Sequence, residues 1–577
     1  MSPWMAAKLR AVACIFGFAA IGAGVGLALS IRGVLQHGYP GIGFWRTSLW
    51  LSAQGADRGA AVGLAAGGGV LLLFHLILRT FRRPFPRLPS TIRRRLGYVI
   101  AGRAARAGAG LVLLLTVALG ILGWATLNHA RAQASRRGRS IILIGIDTLR
   151  ADCTCLNSPG EHSRALTPNL QAFGAHGTVF SNAVAQAPWT LASFASVVTG
   201  LYPGEHGAEH LTSTLAPPQT TLAEVLREAG YRTLGVVSGE YVTTSAGMAQ
   251  GFEVFDESQV QGGTGISSNA VTDKAIELLR GHGHEPFFLF LHYFDPHWIY
   301  QDHKSYDFAD GYSGRLREPA ATMKQSEFQE YLGTGRPGFG RKSLSDEEIT
   351  FLRGLYYEDV AHTDEALGRL FAFLDDAGLL DSCLVILVAD HGEAFLEHGR
   401  LGHNNSLFAE ETHVPLMIVG PSVDASRVVD SPVETRDVFS TVLAWVGVPP
   451  PAGRQYPDPL LGPVEAAPAL VRSAGYTMVL GMEGRMLSQP VECWWTSVQD
   501  GRWKLIKEHL RGRSMLFDLE NDPGETRNCQ AENPDCRRRL ERELDRLDDE
   551  VRGRAPRTRV PEASEEQQRR LKSLGYL

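Results

Sequence analysis

The stretch SIILIGID, residues Ser140–Asp147, decides the fold class of this 577-residue chain. A continuous apolar run of this length is typical of a β-strand that is buried on both faces of a sheet. Three further runs have the same character: PFFLFLHYFD (Pro286–Asp295), SCLVILVAD (Ser382–Asp390) and VPLMIVG (Val414–Gly420). Helical patterns lie between the runs, for example at Thr221–Gly230 and Asp346–Ala377. This alternation predicts an α/β domain built on a mostly parallel sheet that is covered by helices.

Three of these predicted strands end on an acid, namely Asp147, Asp295 and Asp390. In open α/β sheets the carboxyl ends of the strands line one crevice, where ligands bind. Acidic side chains that gather there repel one another unless a cation neutralises them. A single strand-end Asp is most often a turn or cap residue. Three of them, two with a histidine close behind, favour a metal site.

Charge divides the chain into two parts. Residues 1–140 hold 18 basic side chains and a single acid, Asp57, whereas the whole chain has a formal net charge of −5. The part after residue 140 is therefore strongly acidic. So large an asymmetry indicates different surroundings for the two parts. The acidic part repels phosphate backbones, which argues against nucleic acid as a partner.

The basic part contains three uncharged apolar runs of 20 or 21 residues, at about 11–31, 59–78 and 107–127. Each run is long enough to cross a bilayer core of about 30 Å as a helix. Their many Gly and Ala residues suit close helix packing in lipid. We therefore interpret residues 1–139 as a membrane anchor with three transmembrane helices. The first run also fits a signal peptide cleaved near Ser30, although its length favours a retained helix.

The orientation of the anchor follows from the loop between the second and third runs. From Arg79 to Arg106 this loop holds nine arginines and no acid. Such a loop stays in the cytoplasm by the positive-inside rule, so the residues after 127 lie outside. This predicts a multi-pass protein of the inner (cytoplasmic) membrane, in contact with membrane lipid, with its catalytic domain on the periplasmic or extracellular side. Six of the seven cysteines then lie in a compartment that permits disulfides.

Six stretches follow one another in the external part: SIILIGIDTLRADC from Ser140, LTPNLQAFGAHGTVFSNA from Leu166, APWTLASFASVVTGLYPGEHG from Ala187, FLFLHYFDPH from Phe288, DHGEAFLEHGRLGHNNSLFAEETHVPL from Asp390 and RWKLIKEHLRGRSMLFDLENDPGETRN from Arg502. In this order they resemble the sulfatase family of the alkaline phosphatase superfamily over about residues 140–530. The resemblance implies an alkaline-phosphatase-like sheet sandwiched by helices in residues 140–470. It implies a small C-terminal subdomain in residues 471–577, whose charged segment Cys536–Arg554 has the pattern of an exposed amphipathic helix.

Matched residue by residue, the resemblance implies a divalent metal held by Asp147, Asp390 and His391. Thr190 stands at the position of the family's nucleophile, which also contacts the metal. Oxygen ligands with one imidazole suit Zn²⁺ or Mn²⁺, and Mg²⁺ or Ca²⁺ is also compatible. A Thr at the start of a helix is otherwise a capping residue, and the composition of Leu191–Val198 predicts such a helix.

Two histidines, His297 and His403, match positions that contact the transferred group or its leaving oxygen in the family. His403 shares one short segment with Glu393 and His398. A polar loop over the site explains this segment as well as chemistry does.

Three positions depart from the usual family pattern. Sulfatases of the usual kind convert a Cys or Ser to formylglycine, where this chain has Thr190. The following Pro and Arg positions hold Ala192 and Phe194. These departures argue against sulfate-ester hydrolysis by the standard route. An unmodified Thr nucleophile resembles that of the superfamily's nucleotide phosphodiesterases and membrane-bound phosphoethanolamine transferases.

The sequence therefore predicts a membrane-anchored, metal-dependent hydrolase or transferase that acts on phosphate esters or diesters through Thr190 and a covalent intermediate. Lipid and glycan head groups are candidate substrates. A true sulfatase, which hydrolyses sulfuric esters, is the alternative. A second alternative is an inactive relative that binds an envelope partner. Intact Asp147, Asp390 and His391 argue against the inactive relative, because clustered charge without a ligand is costly.

Overall fold

The computed structural model describes residues 139–555 apart from residues 158–165, 211–212, 261–266, 299, 310, 318–343, 405, 462–470 and 483–484. The three predicted membrane spans and the arginine-rich loop lie outside the described residues. The anchor and its orientation therefore stay predictions. Within the described part of the chain, no helix combines the length and the apolar character that a bilayer crossing requires.

Eleven strands of the described residues belong to the large domain. In chain order they are β1 (Ser140–Ile146), β2 (Gly177–Val184), β3 (Arg232–Val236), β4 (Val254–Asp256), β5 (Phe287–Tyr293), β6 (Cys383–Ala389), β7 (Ala394–Phe395), β8 (Leu401–Gly402), β9 (His413–Val419), β10 (Arg427–Val429) and β11 (Val433–Glu434). Nine of them form one sheet, and β7 pairs with β8 in a separate hairpin.

The large sheet is mostly parallel, as the apolar runs predict. Its order is β10-β2-β9-β6-β1-β5-β3-β4, with β11 also paired to β2. Strand β1 lies between β5 and β6 and runs parallel to both. Strand β9 is antiparallel to both β2 and β6. A continuous apolar run indicates burial on two faces but carries no information on strand direction.

The described helices are α1 (Pro168–Gly174), α2 (Thr190–Thr199), α3 (Pro203–His206), α4 (Leu222–Glu228), α5 (Ser268–His282), α6 (Asp346–Asp376), α7 (Ala409–Thr412), α8 (Asp437–Val446) and α9 (Pro534–Arg554). The two predicted helices appear as α4 and α6. Each begins with a capping box, in which Thr221 and Ser345 accept from the backbone N–H three residues on.

Helices cover both faces of the sheet at β1. A Cβ atom added to Gly145 would meet the ring of Phe194 on α2. The next residue, Ile146, lines a small internal gap together with Val360 and Leu367 of α6. Because successive side chains of a strand point to opposite faces, α2 and α6 lie on opposite sides of the sheet. This is the layered arrangement that the α/β pattern predicts.

The C-terminal part is a four-stranded antiparallel sheet with one helix on it. Its strands are β12 (Val471–Met482), β13 (Arg485–Gln499), β14 (Trp503–Glu508) and β15 (Arg513–Asp518). Helix α9 is amphipathic as predicted, but it is not simply exposed. Its Leu540 and Leu544 are fully buried against Val498, Leu505 and Leu516 of this sheet. Most residues of α9 are charged, but its leucines form a narrow apolar face that packs on the sheet.

The cysteines whose side chains are described carry free thiols: Cys153, Cys155, Cys383, Cys529 and Cys536. Burial raises the pKa of the Cys383 thiol to about 12. The thiol of Cys155 donates to the Thr167 carbonyl. None of the disulfides that the sequence permits forms among these five residues.

Candidate active site

Three of the predicted metal ligands lie together at the carboxyl edge of the sheet. Asp147 directly follows β1, whereas Asp390 and His391 follow β6, the parallel neighbour of β1. One potential ligand atom from each residue lies within 4.8 Å of the other two, and all three side chains are buried. The parallel pairing of the strands is therefore what brings the two distant segments into one group.

The hydrogen bonds of His391 fix which ring nitrogen faces the group. Its Nδ1 donates to the Gly392 carbonyl at 2.9 Å, so Nε2 of the neutral ring keeps its lone pair. That Nε2 lies 3.4 Å from Asp390 Oδ2 and 3.7 Å from Asp147 Oδ1. Burial lowers the pKa of His391 well below its usual value, which keeps the ring neutral. The imidazole is thus prepared to act as a ligand.

The two carboxylates each leave one oxygen without a hydrogen bond. Within the described residues, Asp147 Oδ1 and Asp390 Oδ2 are buried and have no hydrogen-bond partner. Burial raises the pKa of both carboxyl groups, and their mutual repulsion raises that of Asp390 further. Buried anions of this kind require a compensating cation. Unpaired carboxylate oxygens beside an imidazole lone pair fit a divalent metal ion.

Thr190 is the first residue of α2, and its side chain does not cap that helix. Trp189 occupies the N-cap position, and no side chain makes a cap hydrogen bond there. The Thr190 hydroxyl instead lies 3.4 Å from His391 Nε2, and its presence partly offsets the rise in the pKa of the Asp147 carboxyl. The first N–H groups of a helix have no partner within it, so they offer an anion-binding position beside the hydroxyl.

His297 and His403 lie next to the same group. The centroid of the His403 ring lies 4.5 Å from that of His391 and 4.9 Å from that of His297. Nδ1 of His297 donates to the Trp298 carbonyl at 2.5 Å, whereas Nδ1 of His403 lies 3.0 Å from Glu393 Oε1. Burial lowers the pKa of both imidazoles, that of His403 to about 3. The structure thus brings all six residues predicted for the site together.

The third strand-end acid, Asp295, has a different role from the one that its position suggested. Its Oδ1 accepts from the N–H and hydroxyl of Ser267, and its Oδ2 accepts from the N–H of Ser268. These donors lie at the N-terminus of α5, so Asp295 satisfies the start of that helix. Of the three strand-end acids, Asp147 and Asp390 belong to the group around His391 and Asp295 does not.

His292 is a buried residue of the site that the sequence did not single out. It lies in β5 opposite Gly145 and is completely buried. Its Nε2 is 3.5 Å from Asp147 Oδ2, and within the described residues neither ring nitrogen has a hydrogen-bond partner. Burial lowers the pKa of His292 to about 3. A single imidazole within the apolar run FFLFLHYF is the signal that could have identified it.

Phe194, which stands at the family's usual arginine position, is part of the core. Its ring is completely buried and packs edge-on against Phe290 and His292. A Cβ atom at Gly145 would lie 2.5 Å from this ring, so the absence of a side chain there makes the contact possible. The Phe194 side chain therefore packs α2 against the sheet. It carries no positive charge that could bind an anion.

Restoring the arginine with Phe194→Arg is expected to destabilise the protein and not to create a standard sulfatase. A guanidinium placed among these rings is a buried charge, and we expect a loss of about 3 kcal/mol or more in unfolding free energy. Denaturant titration would measure this loss, with Phe194→Leu as an apolar control. A Phe194→Arg protein of normal stability that hydrolysed sulfate esters would contradict the expectation.

Comparison with known proteins places this site in a family. The family model described as "Sulfatase" matches residues 139–448, which is more than half of the chain. The multifunctional alkaline phosphatase superfamily protein PehA of Trinickia caryophylli is 28% identical over 384 residues, covering 54% of this chain and 74% of that protein. Arylsulfatase K of Bos taurus is 26% identical over 433 residues, covering 65% and 76% of the two chains.

A solved structure shares the fold. The phosphonate monoester hydrolase from Silicibacter pomeroyi superimposes with a TM-score of 0.57 at 21% identity, covering 71% of this chain and 95% of that one. The match to the family model extends from the first residue before β1 to the loop after α8. It includes Asp147, Asp390 and His391. On this evidence the chain belongs to the sulfatase family.

Proposed function

We propose that the protein is a membrane-anchored, metal-dependent hydrolase or transferase of phosphate esters or diesters, with Thr190 as its nucleophile. The observation that carries the proposal is the position of the Thr190 hydroxyl, 3.4 Å from His391 Nε2 at the start of α2. Thr190 is neither the Cys nor the Ser from which formylglycine forms. Similarity to proteins named alkaline phosphatase superfamily protein and phosphonate monoester hydrolase supports a phosphorus centre.

The metal would be held by Asp147, Asp390, His391 and Thr190. When bound, a divalent ion would lower the pKa of the Thr190 hydroxyl and offset negative charge on the transferred group. Zn²⁺ or Mn²⁺ suits these donors best, and Mg²⁺ or Ca²⁺ is compatible with them. Asp390 and His391 would offer Oδ2 and Nε2 to the metal while Asp390 Oδ1 and His391 Nδ1 keep their hydrogen bonds to the backbone.

The reaction that these residues support has two steps. Thr190 loses its hydroxyl proton to solvent, and its Oγ bonds to phosphorus while the ester P–O bond breaks. The leaving oxygen takes the electron pair of that bond and a proton from His297 or His403. Backbone N–H groups at the start of α2 bind the remaining phosphoryl oxygens. Water, or the hydroxyl of an acceptor, then displaces Thr190 from the phosphothreonine-type intermediate.

Sulfate-ester hydrolysis is the second candidate. The identity with arylsulfatase K favours it, at 26% over 433 residues. The buried Phe194 and the unmodifiable Thr190 count against it, because the standard route needs a formylglycine and usually a cation beside it. A sulfatase reaction would have to proceed from the Thr190 hydroxyl itself.

The test compares esters that share one leaving group. Full-length protein in detergent, loaded separately with Zn²⁺ or Mn²⁺, is assayed on p-nitrophenyl phosphonate monoesters, phosphodiesters, phosphomonoesters and sulfate. We expect at least one phosphorus ester to be hydrolysed with a higher kcat/KM than the sulfate. Intact mass spectrometry after rapid quenching is expected to reveal an adduct on Thr190, whose mass identifies the transferred group. Faster cleavage of the sulfate than of every phosphorus ester would instead support the second candidate.

A further inference from the structure

The turn that follows β1 has an unusual backbone conformation at Thr148. Thr148 has a φ of 55° and is completely buried. For a residue that branches at Cβ, this left-handed conformation brings the side chain too close to the backbone, so such residues rarely adopt it. Glycine is the residue that adopts it freely, and the turn Asp147–Arg150 contains none. The surrounding structure must therefore hold Thr148 in this conformation.

The same turn connects two of the proposed metal ligands. Asp147 directly precedes Thr148, and the Thr148 N–H donates to Asp390 Oδ1 at 3.2 Å. The N–H of His391 donates to the same oxygen at 2.8 Å. These two bonds leave Oδ2 as the Asp390 oxygen that lies 3.4 Å from His391 Nε2. The conformation of Thr148 therefore sets the position of Asp147 relative to Asp390.

Tyr356 of α6 supports this turn with its hydroxyl group. The hydroxyl donates to the Thr148 carbonyl at 2.9 Å and accepts from the Arg150 N–H at 3.0 Å. It thus bonds to the backbone on both sides of Leu149. The Tyr356 side chain is completely buried, and the centroid of its ring lies 5.3 Å from that of Phe395. Because the ring is enclosed and belongs to a 31-residue helix, the hydroxyl has a fixed position beside the turn.

We propose that Tyr356 is a positioning residue, whose hydroxyl holds Thr148 in the conformation that the metal site requires. That conformation places Asp147 and Asp390 for a divalent ion. This inference rests on the metal that the proposed function requires, but not on which ester is cleaved. Without the hydroxyl, the Thr148 carbonyl and the Arg150 N–H lose a buried partner, and Thr148 relaxes toward an ordinary φ. A metal ion that binds must then restore the strained turn, and the free energy of that change weakens its binding.

The test measures the affinity of the full-length protein in detergent for the metal alone. Wild type and Tyr356→Phe are freed of metal with a chelator, which is then removed, and Zn²⁺ or Mn²⁺ is titrated in by calorimetry. We expect the Kd of Tyr356→Phe to be about tenfold to a hundredfold higher, as is usual when a group that orients metal ligands is removed. Tyr293→Phe is the matched control, because the Tyr293 side chain is equally buried and its hydroxyl lies 2.8 Å from Thr272 Oγ1. The Kd of this control should stay within about twofold of the wild type, since its hydroxyl does not contact the turn.

Relief of the strain distinguishes support of the turn from a general loss of stability. Glycine adopts a positive φ freely, so in the Thr148→Gly background the turn needs less support. In that background, Tyr356→Phe should raise the Kd less than about threefold relative to Thr148→Gly alone. An unchanged Kd for Tyr356→Phe, or an equal rise in both backgrounds, would overturn this inference and leave the Thr190 reaction standing. A wild type that binds neither ion would overturn the proposed function and this inference together.

Discussion

Thr190→Ala is expected to lower kcat for phosphorus esters by at least about a thousandfold while leaving the protein folded and able to bind metal. The substitution removes the only protein atom that forms a bond to phosphorus in the proposed reaction. It costs little stability, because Trp189 and not Thr190 occupies the N-cap of α2. Asp147, Asp390 and His391 remain as ligands. Steady-state kinetics, thermal denaturation and metal analysis would be measured together on the same preparations.

Thr190→Ser is the control for this result. It keeps a hydroxyl at the same place, so activity within about tenfold of the wild type is expected, together with the covalent adduct. Alanine should leave no adduct at position 190. An alanine variant that still turned over phosphorus esters at the wild-type rate would show that Thr190 is not the nucleophile. The Thr190 hydroxyl would then be a neighbour of Asp147, Asp390 and His391 with no covalent role.

Asp390→Asn is expected to abolish metal binding and activity while it stabilises the metal-free protein. Asp390 Oδ1 accepts from the backbone N–H groups of His391 and Thr148, and an amide oxygen can keep both bonds. The substitution removes one of two buried like charges that nothing compensates in the absence of metal. We expect the unfolding free energy of the chelator-treated protein to rise by about 1 kcal/mol or more. Added Zn²⁺ or Mn²⁺ should raise the Tm of the wild type only.

The stability difference between these two metal-free proteins should depend on pH. Burial and repulsion raise the pKa of Asp390 in the folded state, so the folded wild type binds a proton more tightly than the unfolded chain. The contribution of Asp390 to the stability of the wild type is therefore fully present below the pKa that this group has in the unfolded chain. It is lost as the pH rises toward the pKa of Asp390 in the folded protein. The amide that Asp390→Asn introduces does not titrate, and the buried histidines are common to both proteins. The advantage of the variant should thus be larger at pH 8 than at pH 5, as chemical denaturation would measure. A difference in unfolding free energy between the two proteins that became smaller with rising pH would contradict this prediction.

Several parts of the structure could be predicted because they depend on local sequence. The apolar runs at β1, β5 and β6 predict buried strands, and the carboxyl ends of parallel neighbours necessarily meet at one edge of the sheet. Asp147 and Asp390, which end two of these strands, lie together at that edge, and the family resemblance added His391 to them. The capping boxes that begin α4 and α6 are likewise visible in a few consecutive residues.

Other parts depended on contacts between distant segments. Asp295 has the same sequence context as Asp147 and Asp390, yet it caps α5 because the start of that helix lies beside the end of β5. His292 is one polar residue in an apolar strand, and only the pairing of β5 with β1 places it beside Asp147. The reversed direction of β9 is equally invisible in an apolar run.

By itself, the sequence determined the α/β class and the asymmetry of charge between a basic N-terminal part and an acidic domain. Each of these follows from composition or from short-range pattern. The tertiary structure alone decided that Phe194 is core, that Thr190 is not a cap, and that Glu393 pairs with His403. Those assignments depend on which surfaces meet across the fold. The charge and burial around a residue govern its chemistry, and both depend on which residues lie near it in space. The residues next to it along the chain do not reveal which these are.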